Sequence, residues 1–216
     1  MNNFEILPYP EIAPTNSNAQ RLVVFLHGLG SDGHDLITLA PLMQATLRDC
    51  YFISPHAVQP FEMAPFGRQW FSLNNRAPDK IQQLIIPSAE LLSTIITHKQ
   101  QQLNLHNSET IIIGFSQGTM IGLYLTLTQT QPFAAMIGFS GRLVAPPECL
   151  NSQTPICLVH GEQDEVIDIQ EMTNIADYLT RYNIKHSTLA IPNLAHSIDG
   201  VGIEYATTFI CNHHSD

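Results

Sequence analysis

The sequence predicts an α/β domain in which a mostly parallel central sheet carries helices on both faces. Three observations lead there. Apolar runs of strand length alternate with longer helical stretches. The strand runs are continuously apolar, as strands covered on both faces are. No repeat, low-complexity tract or linker divides the chain, so a single domain over residues 1–216 is expected.

The elements follow in order. Arg21–His27 (RLVVFLH) reads as a buried strand, and the Gly-rich GLGSDG then turns the chain. His34–Leu47 is a helix candidate and Cys50–Ser54 the next strand, followed by a long loop with prolines and aromatics, Pro55–Pro78. Asp79–Leu105 is expected to be mostly helical but interrupted or restarted at Pro87, since proline has no N–H for the previous turn. Thr110–Phe115 (TIIIGF), rich in β-branched residues, is the strongest strand, and Gln117–Gln129 is helical. Phe133–Phe139 and Pro155–His160 are strands, Ile169–Tyr182 a helix, His186–Ile191 a strand and Ile198–His214 a closing helix.

Composition narrows the function. Basic residues number 9 and acidic residues 19, a net charge of −10. Nucleic acids and anionic membranes both need a basic face, so neither is an expected partner. Apolar residues make up 44%, enough for a real core at 216 residues. No apolar run approaches the ~18 residues of a transmembrane segment. The opening MNNFEILPYPEIAPTN lacks the basic-then-apolar pattern of a signal peptide. Cys50, Cys149, Cys157 and Cys211 are scattered without a CxxC and read as reduced thiols, so a cytoplasmic protein is expected.

The central chemical signal is Gly114-Phe115-Ser116-Gln117-Gly118, a G-x-S-x-G that follows an apolar strand and opens a helix. A sharp strand-to-helix turn brings backbone against backbone, and Cβ atoms at positions 114 and 118 would crowd it. Such a turn exposes the Ser116 hydroxyl at the carboxyl end of the sheet, where α/β sheets place their sites. The plainer alternative is a Gly-rich turn with Ser116 as a helix N-cap. A nucleophilic serine needs a base, and the elbow calls for an acid and then a histidine downstream. Past the strand at Pro155–His160 comes Glu162-Gln163-Asp164-Glu165, with Asp168 close by. Past the strand at His186–Ile191 comes His196. Asp164 is the preferred acid, because a loop can turn its carboxylate inward three residues past Gly161. Glu162, Glu165 and Asp168 read as solvated acids, with Asp168 placed to cap the next helix.

An oxyanion needs two backbone N–H donors. One is expected from Gln117, the residue after the nucleophile, and the other from the early loop His27-Gly28-Leu29-Gly30-Ser31-Asp32-Gly33, with Leu29 as its donor. A phosphate loop is the rival reading, but neither GxGxxG nor GK[ST] is present.

Taken together, HGLGSDGHD, SPHAVQP, PFGRQWF, GFSQG, HGEQDEVI and LAHSID resemble, in this order, the phospholipase/carboxylesterase family of α/β-hydrolases. That family contains the acyl-protein thioesterases and small bacterial carboxylesterases. The resemblance runs from about Arg21 to Ile210. It implies an α/β-hydrolase fold, a triad of Ser116, Asp164 and His196, oxyanion amides from Leu29 and Gln117, and no cofactor. The substrates it implies are small or acyl-chain esters, with acylated proteins and lysophospholipids as further candidates. A lysophospholipase is the alternative within this chemistry, and a non-catalytic hydrolase-fold binder the alternative outside it. Only Ser140–Thr154 lies between two strands where such folds insert a lid, so no large lid domain is expected. Two positions depart from the family pattern: Thr119 stands where a second glycine is common, and Asp168 where proline is frequent.

The remaining histidines and aromatics carry weaker expectations. His27, His34, His56 and His160 lie near strand ends, but no HxxxH-like pairing supports a metal site. Phe61, Met63, Phe66, Trp70 and Phe71 occupy the long loop after the second strand. Core packing is their default reading. The alternative is an acyl-chain groove, for which Met63, Trp70 and Phe71 are the candidates.

Overall fold

The computed structural model describes residues 6–15 and 18–213. A seven-stranded sheet runs through the molecule in the order β1-β3-β2-β6-β7-β8-β9. Its strands are β1 (Glu11–Ile12), β2 (Arg21–Leu26), β3 (Cys50–Ile53), β6 (Thr110–Phe115), β7 (Ala135–Phe139), β8 (Ile156–Gly161) and β9 (His186–Ile191). All neighbours pair in parallel except the short edge strand β1, which is antiparallel to β3. A separate hairpin joins β4 (Gln59–Pro60) to β5 (Arg68–Gln69). This is the expected α/β-hydrolase arrangement. The segment between β7 and β8 contains no helix, so no large lid covers the sheet.

The continuous apolar runs serve two cores. Along β2, Leu22, Val24 and Leu26 enter the core on one face, whereas Val23 and Phe25 enter the other. The period-2 alternation of a strand divides each run in this way. On the first face lie α3 (Pro78–Leu103), α4 (Gln117–Thr128) and α5 (Gln170–Arg181), which contribute Ile85, Ile121 and Ile175. On the second lie α1 (Gly33–Leu36), α2 (Ala40–Gln44) and α6 (Gly200–Asn212), which contribute Leu36, Met43 and Ile210. Every residue of α4 from Gln117 to Leu127 is buried, as a helix apolar all round should be.

Several elements differ from expectation. The helix expected over His34–Leu47 is split into α1, a 3-10 turn at Ile37–Leu39, and α2. Pro41 has no N–H for the preceding turn, and Ala40 N–H bonds back to Ile37 O in the tighter 3-10 pattern. In the opposite sense, α3 continues through Pro87 without interruption. Removing one N–H costs the helix about 3 kcal/mol. Burial of Ile81, Ile85, Ala89, Leu92, Ile95 and Ile96 along the same stripe offsets that cost. β7 begins at Ala135, because Phe133 N–H donates instead to Thr154 Oγ1. The closing helix starts later than expected, at Gly200, where Asp199 caps it by accepting from Gly202 N–H. Its expected end at His214 lies outside the described residues.

Candidate active site

β6, β8 and β9 are contiguous with β7 in the sheet, and each ends at the same rim. Ser116 follows β6, Asp164 lies three residues past β8, and His196 comes five residues past β9. The turn at Ser116 is sharp: the serine has φ 54° and ψ −115°, in the left-handed half of backbone space. Only close backbone approach permits it. A Cβ on Gly114 would stand 2.5 Å from Gly118 O, and one on Gly118 would stand 1.8 Å from Leu26 O. Strain of this kind persists where the surroundings over-determine it. Here Ser116 N–H donates to Phe139 O at 2.9 Å, and α4 is packed behind.

Ser116 occupies the N-cap position of α4, but its side chain makes no capping hydrogen bond. Its Oγ lies 3.0 Å from His196 Nε2 instead. His196 Nδ1 is 2.8 Å from Asp164 Oδ2. The Asp164 side chain is fully buried. Its Oδ1 accepts Val166 N–H and Ile167 N–H, both at 2.9 Å. Burial pushes the Asp164 pKa up, but hydrogen bonds from the Ile167 amide, His196 and the Val166 amide outweigh it and hold the carboxyl below its ordinary range. Glu162 and Glu165 are exposed. Asp168 is also exposed, and its Oδ1 accepts Gln170 N–H at the start of α5.

The early loop is braced by the β4–β5 hairpin. Gly30 N–H donates to Arg68 O and Arg68 N–H to Ser31 O, both at 2.8 Å. Gly67 must be glycine for this contact, with φ +79° and room for no Cβ, which would lie 2.0 Å from Gly30 O. Leu29 and Gln117 border the same cavity as Ser116 and His196, about 390 Å³ in volume. The Gln117 side chain is turned away and buried. It accepts Trp70 N–H at 2.8 Å and donates to Phe71 O at 2.7 Å, tying the long loop to the elbow.

The assignment of Trp70 and Phe71 to an acyl groove is corrected by these contacts. Both are fully buried in the core beneath the site, and neither lines the cavity beside Ser116 or the groove that adjoins it. Trp70 Nε1–H donates to His27 O, which places the indole under the early loop. Met63 stands 78% exposed between β4 and β5 and is likewise absent from the cavity. The walls are formed instead by Leu73, Met120, Val166 and Ile167, with Arg76, Arg142, Asp168 and Glu171 at the polar positions. A second cavity of about 540 Å³ shares Arg76, Arg142 and Glu171 and continues past Pro78, Ile81, Leu143 and Val144. Val166 and Ile167 belong to HGEQDEVI, whereas Leu73, Arg76, Met120, Arg142 and Glu171 come from separate segments outside the quoted motifs.

Thr119, the departure from the family glycine, is buried behind the elbow. Its hydroxyl lies 2.8 Å from both Gly114 O and Phe139 O, the second of which also receives Ser116 N–H. It therefore ties α4 to β6 and β7 and leaves the cavity untouched. Among the described residues, no group of three or more His, Cys, Asp or Glu is arranged to hold a metal ion.

Residues 7–214 match the model of the phospholipase/carboxylesterase family. The chain belongs to this family. It is a carboxylic ester hydrolase. The crystal structure of esterase PE8 superposes with a TM-score of 0.89 at 31% identity, covering 96% of this chain and 99% of that one. Esterase YpfH of Escherichia coli is 26% identical, with 87% of this chain and 81% of the relative covered. Acyl-protein thioesterase 1 homolog 1 of Dictyostelium discoideum is 28% identical, with 87% and 88% covered.

Proposed function

We propose that Ser116, His196 and Asp164 form a catalytic triad that hydrolyses carboxylic esters and thioesters through an acyl-serine intermediate. The observation that carries the reading is the continuous chain from Ser116 Oγ to His196 Nε2 to Asp164 Oδ2, at 3.0 and 2.8 Å. In the reaction His196 Nε2 takes the Ser116 proton as Oγ attacks the acyl carbon. Asp164 receives the Nδ1 hydrogen bond and stabilises the imidazolium. The Leu29 and Gln117 backbone N–H groups donate hydrogen bonds to the developing oxyanion. His196 then returns the proton to the leaving alcohol or thiol, and water repeats the sequence on the acyl-enzyme.

The cavity supports substrates with an apolar acyl group. Leu73, Met120 and Val166 flank Ser116, and the adjoining groove continues the apolar wall through Ile81, Leu143 and Val144. With no large lid, bulky esters reach Ser116, and thioesters of acylated proteins are included in the proposal because relatives carry that name. No helix of the described residues is long and apolar enough to cross a membrane. The proposed compartment is the cytoplasm, where the buried thiols of Cys50 and Cys157 stay reduced.

A fluorophosphonate labels only an activated serine. Wild type is expected to label and to cleave p-nitrophenyl esters, with a parallel protein-depalmitoylation assay ranking the two substrate classes. Ser116→Ala should lose labelling and about 10⁴-fold or more in kcat while keeping its fold. Ordinary turnover by that variant would end the triad reading.

A further inference from the structure

His160 lies in β8, four residues before Asp164, with its side chain 2% exposed. Its Nε2 sits 2.8 Å from Ile167 O and 3.3 Å from Asp164 Oδ2. A carbonyl and a carboxylate held ionised are both acceptors, so the nitrogen between them carries hydrogen. His196 Nδ1 reaches the same Oδ2. The Asp164 carboxylate thus accepts at Oδ1 from two amides and at Oδ2 from His196, while the His160 Nε2–H, donated to Ile167 O, stands 3.3 Å from Oδ2. Ile167 is held at both ends, donating its N–H to Oδ1 and accepting at its carbonyl from His160. Val166 and Ile167 in turn wall the cavity beside Ser116.

We propose that His160 is a positioning residue for ester hydrolysis: its Nε2–H donates to the Ile167 carbonyl and so fixes the turn whose amides hold Asp164 Oδ1, while the same N–H, 3.3 Å from Oδ2, moderates the carboxylate's pull on His196. The proposal rests on the triad reading above. A carboxylate deprived of a nearby N–H dipole concentrates more charge on its remaining partner, which favours the charged form of His196. The other groups around His196 are Ser116, the neutral Phe115 ring 4.8 Å away between centroids, and the cavity's Arg76, Arg142, Asp168 and Glu171. All of them are common to the variants compared.

His160→Phe keeps a ring and removes the donor, whereas His160→Gln keeps an N–H at similar reach. Kinetics are normalised to serine sites counted by fluorophosphonate labelling. For His160→Phe the expected result is a kcat lower by about tenfold at unchanged KM. The acid limb of its kcat/KM profile should move up by about half a pH unit. His160→Gln should restore most of kcat and return the limb. A merely structural role would reduce the labelled fraction without moving the limb. Wild-type kcat and limb in His160→Phe would overturn the positioning role, as would a Gln variant no better than Phe. If His160→Phe does not fold, ¹⁵N spectra of the wild-type protein supply the test: His160 must show the Nε2–H tautomer, and a bare Nε2 refutes the proposal. Retained turnover in Ser116→Ala removes the triad reading itself. Lost turnover there beside an unaffected His160→Phe removes only the positioning role.

Discussion

His27 makes stability depend on pH in a calculable way. It follows β2 at 0% exposure, with its ring against Trp70 at 5.3 Å between centroids. Nδ1–H donates to Gly28 O at 2.8 Å, and Nε2 accepts Ala57 N–H at 3.0 Å. Burial pushes the pKa down to about 4, against partial opposition from the Gly28 carbonyl, and a proton on Nε2 would face the Ala57 N–H. In the unfolded chain the ring titrates near its ordinary 6.5. Below that pH the unfolded chain takes up a proton that the folded protein refuses until about pH 4. Stability is therefore complete above the unfolded pKa and declines as pH falls through this window. The gap of about 2.5 units corresponds to about 3.4 kcal/mol, of which about 2 kcal/mol is lost by pH 5. His56, also shifted down chiefly by burial, adds in the same direction. The lowered carboxyls of Glu11, Asp49 and Asp164 act mainly at more acid pH. Urea unfolding followed by the fluorescence of the single tryptophan, Trp70, measures the effect between pH 7.5 and 5. His27→Asn should be less stable at pH 7.5, and its fall over this interval should be shallower by about 2 kcal/mol. Equal slopes in the two proteins would refute the reasoning.

Other substitutions test the site's construction. Asp164→Asn should keep the fold and lower kcat by about 10³–10⁴-fold, whereas Asp168→Asn should cost about 1 kcal/mol of stability or less and little activity; the two kinetic outcomes exchanged would reassign the acid. Gly118→Ala forces a Cβ to within 1.8 Å of Leu26 O and should destabilise by about 3 kcal/mol or more with loss of fluorophosphonate labelling, as thermal unfolding and gel fluorescence will read. Thr119→Val removes the hydroxyl that bridges Gly114 O and Phe139 O and should lower the urea-unfolding free energy by about 1–2 kcal/mol, with KM unchanged because Thr119 lies outside the cavity.

What the sequence determined by itself rests on neighbouring residues. The elbow is legible because the steric demand at Gly114 and Gly118 falls within one turn of Ser116. The parallel sheet is legible because β2, β6, β7 and β8 are apolar at both parities and feed two cores. Those strands then assign Ser116, Asp164 and His196 to one rim. Two-residue strands such as β1, β4 and β5 carry too few residues to register as a pattern. Only the tertiary structure decided the rest. Pro87 is spanned because long-range burial of α3 outweighs one missing hydrogen bond. Asp164 is distinguished from Glu162 and Glu165 by burial and by two amides turned toward Oδ1. Trp70 and Phe71 lie beneath the site rather than in it because Gln117 ties their backbone to the elbow. The cavity walls unite segments distant in the chain. Local sterics and periodicity are written in adjacent residues, whereas burial and the pairing of polar groups depend on partners that folding alone brings into reach.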